Sequence, residues 1–356
     1  MPKIISVGTA VPDYVITQTE AKDFTKKLFG TYFKDIDRLL KIFDNTLIKK
    51  RHFCVPLDWF DSEHSFAEKN EIYTINAFSL AKKAILSALA NSPFTYEDIN
   101  HIFFVSSTGI STPSIDAYLF NDPELNFSKN IKRTPIWGLG CAGGAAGLSR
   151  AFEYTLAFPK EKVLVIALEI GELAFLKNDF SKSNLVATSL FGDGAAAVLV
   201  IGDHANKKTP FPAVEIIDTK SFILNNSLDV MGWEVINEGF KVIFSKNIPS
   251  LIKKEIKPEI EQFLMENQLT TEQINFFVLH PGGAKVINTY QEIFNLTEEK
   301  LNSTRKILNE YGNMSSPTVL FVLKDTIEKN NINKGYGLLL SLGPGFSSEM
   351  LLLKMG

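Results

Sequence analysis

DINHIFFV at residues 98–105 and QINFFVLH at residues 273–280 carry one pattern twice, offset by 175 residues in a chain of 356. In each, an acid or amide followed by Ile-Asn leads into an apolar run of strand length. The same offset takes Cys141 to Ser316, and both head apolar stretches with helical spacing: CAGGAAGLSRAFEYTLAF from Cys141 and SSPTVLFVLKDTIEK from Ser315. A third pair of anchors is Gly192-Asp193-Gly194 before AAAVLV and Gly343-Pro344-Gly345 before FSSEMLLL, now offset by 151. The shorter offset places an insertion of 24 residues in the first copy, near Ile170 to Leu190. A unit repeated once implies two similar halves, residues 1–205 and 206–356, with related loops facing one cleft. LVIGDHANKKTPFPAV, from Leu199, is the expected junction, because Gly, paired Lys and two Pro interrupt both strand and helix patterns.

Working outward, HIFFVSS from His101, VLVIAL from Val163, AAAVLVI from Ala195, INFFVLH from Ile274 and GLLLSL from Gly337 read as strands buried on both faces. AFSLAKKAILSALA from Ala77 and IPSLIKKEIKPEIEQFLME from Ile248 join the two repeat helices as helical segments. Strands alternating with helices predict α/β layers. The balance of 37 Lys plus Arg against 40 Asp plus Glu leaves a charge of -3, without the basic surplus that nucleic acid or an anionic membrane would require. Two cysteines exclude a disulfide framework and a four-thiolate metal site. MPKIISVGTAVP lacks a cleavage-site pattern, and no window reaches the uncharged apolar length of a membrane span, so a cytoplasmic protein is expected.

The chemistry centres on residues 138–143. Gly138-Leu139-Gly140-Cys141-Ala142-Gly143 is literally G-x-G-x-x-G, which a dinucleotide site would use with Glu161 or Glu169 on the ribose, but it lies mid-chain rather than opening the first βαβ unit. The other reading places Cys141 at a helix N-terminus, where the dipole would lower its thiol pKa and supply thiolate. The small residues Ala142 to Ala146 admit a thioester to the sulfur or equally suit tight helix packing. Of five histidines, His280 alone ends a strand and precedes a Pro-Gly-Gly turn, which would project it into a cleft. His101 opens an apolar strand and reads as structural, while His52, His64 and His204 read as solvated. Asn313 could be a plain helix cap, yet the repeat puts it three residues from the counterpart of Cys141. Cys54 reads as an inert, packed thiol.

Seven stretches spread over nearly the whole chain then make a family visible: VSSTGISTPSIDA from Val105, WGLGCAGGAAGL from Trp137, LFGDGAAAVLV from Leu190, FKVIFSKNIP from Phe240, LHPGGAKVI from Leu279, GNMSSPT from Gly312 and GPGFSSE from Gly343. In kind and order they resemble the type III polyketide synthases, the chalcone/stilbene synthase family of the thiolase superfamily. The bacterial long-chain alkylpyrone synthases are the nearest subgroup. The resemblance implies a thiolase fold, two duplicated βαβ-type halves in layers αβαβα, and a homodimer that would bring Thr112 to the partner's pocket. It implies Cys141 as nucleophile with His280 and Asn313, Phe191 as the gate to the cavity, and Gly343, Pro344 and Gly345 as its floor. Ser107, Thr108 and Ser315 would face substrate, and Lys49, Lys50 and Arg51 match a basic cluster associated with coenzyme A phosphates, unless they form a solvated turn. The expected substrates are acyl-CoA and malonyl-CoA, with neither metal nor redox cofactor.

Departures bear on substrate choice. Val242 stands where plant members carry a second Phe, and Ser341-Leu342 precedes Gly343-Pro344-Gly345 where they read Gly-Phe. Small residues at Gly171, Ala174 and Ala187 would leave room for a long aliphatic starter. Ketoacyl synthase III shares fold and trio, but reads Gln-Ala-Asn after its His where this chain has Pro-Gly-Gly. A non-catalytic acyl-binding protein would have lost part of the trio, which is complete here.

Overall fold

The computed structural model describes residues 1–205, 213–245, 247–328 and 334–356. Most of the expected junction, and the boundary at 205/206, lies outside the described residues. In chain order the strands are β1 (Lys3–Ala10), β2 (Tyr14–Thr17), β3 (Lys50–Phe53), β4 (His101–Val105), β5 (Lys132–Ile136), β6 (Lys162–Ile170), β7 (Asp193–Ile201), β8 (Val214–Ile223), β9 (Met231–Ile236), β10 (Gly239–Phe244), β11 (Ile274–Leu279), β12 (Gly335–Gly343) and β13 (Ser347–Met355). The helices are α1 (Gln18–Phe29), α2 (Ile36–Asp44), α3 (Phe66–Ala90), α4 (Ile115–Phe120), α5 (Gly143–Ala157), α6 (Lys182–Leu190), α7 (Ile248–Leu251), α8 (Lys257–Glu266), α9 (Ala284–Phe294), α10 (Glu298–Tyr311) and α11 (Thr318–Glu328).

Nine strands form one mixed sheet in the order β11-β12-β13-β8-β1-β7-β6-β4-β5. The duplication is legible in that order. β4 runs parallel to β6 and β11 parallel to β12; β6 and β12 then pair antiparallel with β7 and β13, which pair with β1 and β8. The halves meet where Lys3 and Ile4 of β1 pair with Glu215 and Val214 of β8.

Alternation along each strand builds the layers. In β4, Ile102 and Phe104 pack with α3 in one outer core, while Phe103 and Val105 face a central core that also holds α5, α11 and the inner faces of β11 to β13. Opposite, Phe277, Leu279, Leu338 and Leu340 pack against α8, α9 and α10 in a third core. Helix, one half of the sheet, paired helices, the other half of the sheet and helix thus make five layers, as the family resemblance implied. Close approach sets the composition of α5: a Cβ on Gly144 would lie 2.2 Å from the Ser316 carbonyl oxygen, and one on Gly143 2.5 Å from Val105 Cγ1. The small residues after Cys141 therefore serve helix packing.

The insertion in the first half is a short 3-10 turn, Gly171–Ala174, followed by α6, where the second half passes directly from β12 to β13. One helical expectation is refined: from Ile248 the chain forms α7, a π-helical turn at Ile252–Ile256, and then α8 with Pro258 in its first turn. Pro258 has no N–H to donate back, and the widened turn accommodates that loss.

Candidate active site

Two left-handed glycines, Gly138 (φ 89°) and Gly140 (φ 45°), bend the chain before Cys141, which sits in a 3-10 turn leading into α5. That conformation, not a phosphate seat, explains the glycine pattern. A Cβ on Gly140 would lie 2.8 Å from Pro344 Cδ, and one on Gly343 2.6 Å from Ala142 Cβ. Gly343 and Pro344 thus press directly on the cysteine turn, and no space is left there for a dinucleotide.

Across the cleft, the Cys141 sulfur lies 3.5 Å from Ser315 Oγ and 4.0 Å from both side-chain amide atoms of Asn313. Asn313 Oδ1 accepts the Ser315 N–H at 2.8 Å, and Nδ2 is the donor turned to the Cys141 sulfur. The backbone of Asn313 is clamped on both sides, its N–H donating to Leu190 O at 2.9 Å and its carbonyl accepting from Gly192 N at 3.1 Å, in a bridge to Phe191. His280 directly follows β11, its N–H bonded to Leu340 O. Its side chain is buried, and neither ring nitrogen has a hydrogen-bond partner among the described residues.

The electrostatics run against a resting thiolate. Burial pushes the Cys141 thiol up to about 11, with hydrogen bonds to Ser315 and Asn313 opposing the rise and the Glu169 charge adding to it. Burial likewise pushes His280 down to about 3. Each group therefore rests neutral, the one as thiol and the other as imidazole, because a dry environment disfavours either charge. The expected dipole-stabilised thiolate is corrected accordingly: desolvation outweighs the helix terminus.

Glu169, considered from sequence only as a ribose acid, is a hub of the site. Fully buried, it accepts from Ser107 N at 2.8 Å, Thr108 Oγ1 at 2.9 Å and Ser316 Oγ at 2.8 Å. Ser107 Oγ in turn accepts the Gly140 N–H at 3.1 Å. Ser107 and Thr108 thus act through hydrogen bonds from Glu169 to the cysteine turn. Burial raises the Glu169 carboxyl to about 7. The available signal was a lone acid inside the apolar run VLVIALEI.

Phe191, Ala187 and Val242 form one small apolar cluster. The space beside Val242 is taken up, since its cross-strand partner Trp233 and the neighbouring Phe244 stand 5.7 and 5.8 Å from the Phe191 ring. Gly171 adjoins the same ring, and Ala174 lies buried on the same 3-10 turn. A small, largely apolar cavity of about 30 Å³ is lined by Gly171, Ala187 and Phe191 together with Ala21, Phe24 and Phe60.

Other expected residues stand apart. Thr112 is exposed on the loop after β4. Lys49 and Lys50 are exposed, but Arg51 is buried and its Nη1 donates at 2.7 Å to the carbonyls of Thr188 and Phe191. Arg51 is thus no surface ligand for a phosphate. His101 is buried and bonded to Thr134, whereas His52 stacks on Tyr311 and His64 on Trp59, so these two are packed rather than solvated. Cys54 Sγ lies within 4.8 Å of ligand atoms of Glu172 and Asp193. Burial and Asp193 push its thiol far up, as an inert cysteine requires.

The geometry can be set beside known proteins. Models of the chalcone and stilbene synthases match residues 1–204 (N-terminal domain) and 215–355 (C-terminal domain). The chain belongs to the chalcone and stilbene synthase family. It is 46% identical to a Bacillus subtilis (strain 168) protein provisionally named a chalcone synthase, over 99% of this chain and 98% of the other. It is 31% identical to the 1,3,6,8-tetrahydroxynaphthalene synthase of Streptomyces peucetius subsp. caesius, over 99% of this chain and 92% of that one. Among solved structures, the Streptomyces coelicolor A3(2) tetrahydroxynaphthalene synthase, a bacterial type III polyketide synthase, superposes with a TM-score of 0.92 at 26% identity, over 99% of both chains. The thiolase-type architecture is therefore that of type III polyketide synthases, enzymes of iterative malonyl-CoA condensation. No described helix is long and apolar enough to cross a membrane.

Proposed function

We propose that this family member loads a long-chain fatty acyl group from acyl-CoA onto Cys141, extends it with malonyl-CoA and releases alkylpyrone-type products. The single observation that supports an aliphatic starter is the largely apolar lining of the cavity at Phe191, Gly171 and Ala187, whose volume of about 30 Å³ must widen by movement of the lining side chains before a long chain enters. In the loading step the Cys141 proton passes to the neutral His280 as sulfur attacks the thioester carbon. The tetrahedral intermediate expels CoA thiolate, which takes the proton from His280. Neutral His280 and Asn313 Nδ2 then hydrogen-bond the thioester oxygen of malonyl-CoA. Loss of carbon dioxide leaves its bonding pair on the α-carbon as an enolate, stabilised on oxygen by those two donors. The enolate carbon attacks the acyl carbonyl and expels the Cys141 thiolate, and the lengthened β-ketoacyl chain returns to Cys141. After further rounds, attack of an enol oxygen on the thioester carbon closes a lactone and breaks the C–S bond, the expelled thiolate taking up the enol proton.

In this reading residues 1–205 supply the nucleophile and residues 206–356 the two donors. Lys49 and Lys50 serve the CoA phosphates, and the enzyme is a homodimer whose partner receives Thr112. The exposed edge strand β5, with exposed Ile110, Tyr118 and Trp137 near it, supports that assembly.

The test is incubation of purified protein with malonyl-CoA and acyl-CoAs of graded length, with products identified by mass. Long-chain starters are expected to give pyrones. Cys141→Ala is expected to abolish condensation while leaving some decarboxylation, and Asn313→Ala to impair both. A single-round ketoacyl product formed only from carrier-protein malonate would instead establish the ketoacyl synthase III alternative.

A further inference from the structure

The strand β3 and the residue before it are stitched to the last turn of α10, just ahead of the loop that carries Asn313. Lys49 N donates to Asn309 O at 2.8 Å, and the His52 ring stacks on Tyr311 at 5.6 Å. Between them the Arg51 side chain passes so close to Gly312 (φ 70°) that a Cβ there would lie 2.7 Å from Arg51 Cγ. A Cβ on Gly192 would lie 3.4 Å from Arg51 Cβ. Both glycines flank the Phe191–Asn313 bridge.

The guanidinium ends at the C-terminus of α6, where the last carbonyls need donors from outside the helix. Each has one. Arg51 Nη1 serves Thr188 and Phe191, Gln18 Nε2 serves Ser189 at 2.9 Å, and the Asn313 N–H serves Leu190. A cation fixed at this end also complements the helix dipole. Arg51 and Asn313 therefore hold neighbouring carbonyls of one helix end, and the carbonyl of the gate residue is one of them.

We propose that Arg51 is a positioning residue for Asn313, locking the end of α6, the Phe191 carbonyl and the Gly312–Asn313 turn in one register so that Asn313 Nδ2 meets malonyl-CoA. The proposal rests on the role given to Asn313 above. Arg51 acts through main chain, since its Nη1 donates to carbonyls and the Cys141 sulfur is approached by Ser315 and Asn313 instead. Starter loading, which uses Cys141 and His280, should then be separable from decarboxylation, which uses Asn313.

The experiment compares wild type, Arg51→Lys and Arg51→Met, each with and without Asn313→Ala. Two rates are read: Cys141 acylation by acyl-CoA in a single turnover, followed by intact mass, and release of carbon dioxide from malonyl-CoA. Arg51→Lys keeps the cation but shortens its reach, so it serves where Arg51→Met does not fold. Decarboxylation is expected to fall about 10- to 100-fold with acylation nearly unchanged, the size of loss that a misplacement near 1 Å produces. On the Asn313→Ala background the Arg51 change should add little, because both act through one group. Equal loss of both rates, or losses that multiply in the double variant, would overturn the proposal. Wild-type decarboxylation by Asn313→Ala alone would overturn the role of Asn313 itself, and is seen independently of any Arg51 variant.

Discussion

Burial raises the Cys141 thiol to about 11 and lowers the His280 imidazole to about 3, and in the proposed reaction the two serve as one proton-transfer pair. Neither charge is stable alone in a dry cleft, so the proton moves when substrate arrives and the developing negative charge is shared with the incoming thioester. His280 also leaves a signature on stability. Its folded pKa lies below its ordinary value of 6.5, so between pH 6.5 and 3 the unfolded chain binds the proton that the folded chain refuses. The contribution is present in full above pH 6.5 and is lost as pH falls through that window, at up to about 1.4 kcal/mol per pH unit. Urea unfolding from pH 7.5 down to pH 5 should therefore show His280→Asn gaining on wild type as pH falls. Parallel curves would show that the folded imidazole takes up its proton normally.

Among the elements, α6 and the hairpin of β9 and β10 set the cavity. α6 arrives in the insertion peculiar to the first half, and its Ala187 faces Phe191 and Val242. The hairpin contributes Trp233 and Phe244, which close the space that Val242 leaves. The room that remains is lined by Gly171 and Ala187 rather than by the hairpin. Ala187→Phe should fill it, and the ratio of kcat/KM for long over short acyl-CoA should fall by roughly 10- to 200-fold, the usual worth of methylene contacts in an apolar pocket. An unchanged ratio would remove the cavity from starter selection. The duplication shows plainly where the extra segment begins and ends. Which of its residues face the gate is not written there, since that depends on where the hairpin lands.

For the whole molecule, the proposed homodimer predicts two 39.7 kDa chains per particle by light scattering. Ile110→Asp, placing a charge beside exposed Trp137 and the free edge of β5, should shift the protein to monomer. A monomeric wild type would refute the assembly. Much of the architecture was legible in the chain: the repeat, the buried strands, the cysteine turn, and His280 and Asn313 as candidates. Each rests on a local period or a fixed offset, and such patterns survive without knowledge of contacts. Arg51 was legible only as part of a basic run, because its partners lie 137 and 140 residues away at Thr188 and Phe191. Glu169 met its three donors in the same way, from two loops of different halves. The direction of the thiol and imidazole shifts likewise followed from burial, which arises when the halves close and exclude water. Local sequence order therefore established which residues could react, while long-range packing established their charge state, their supports and the space available to substrate.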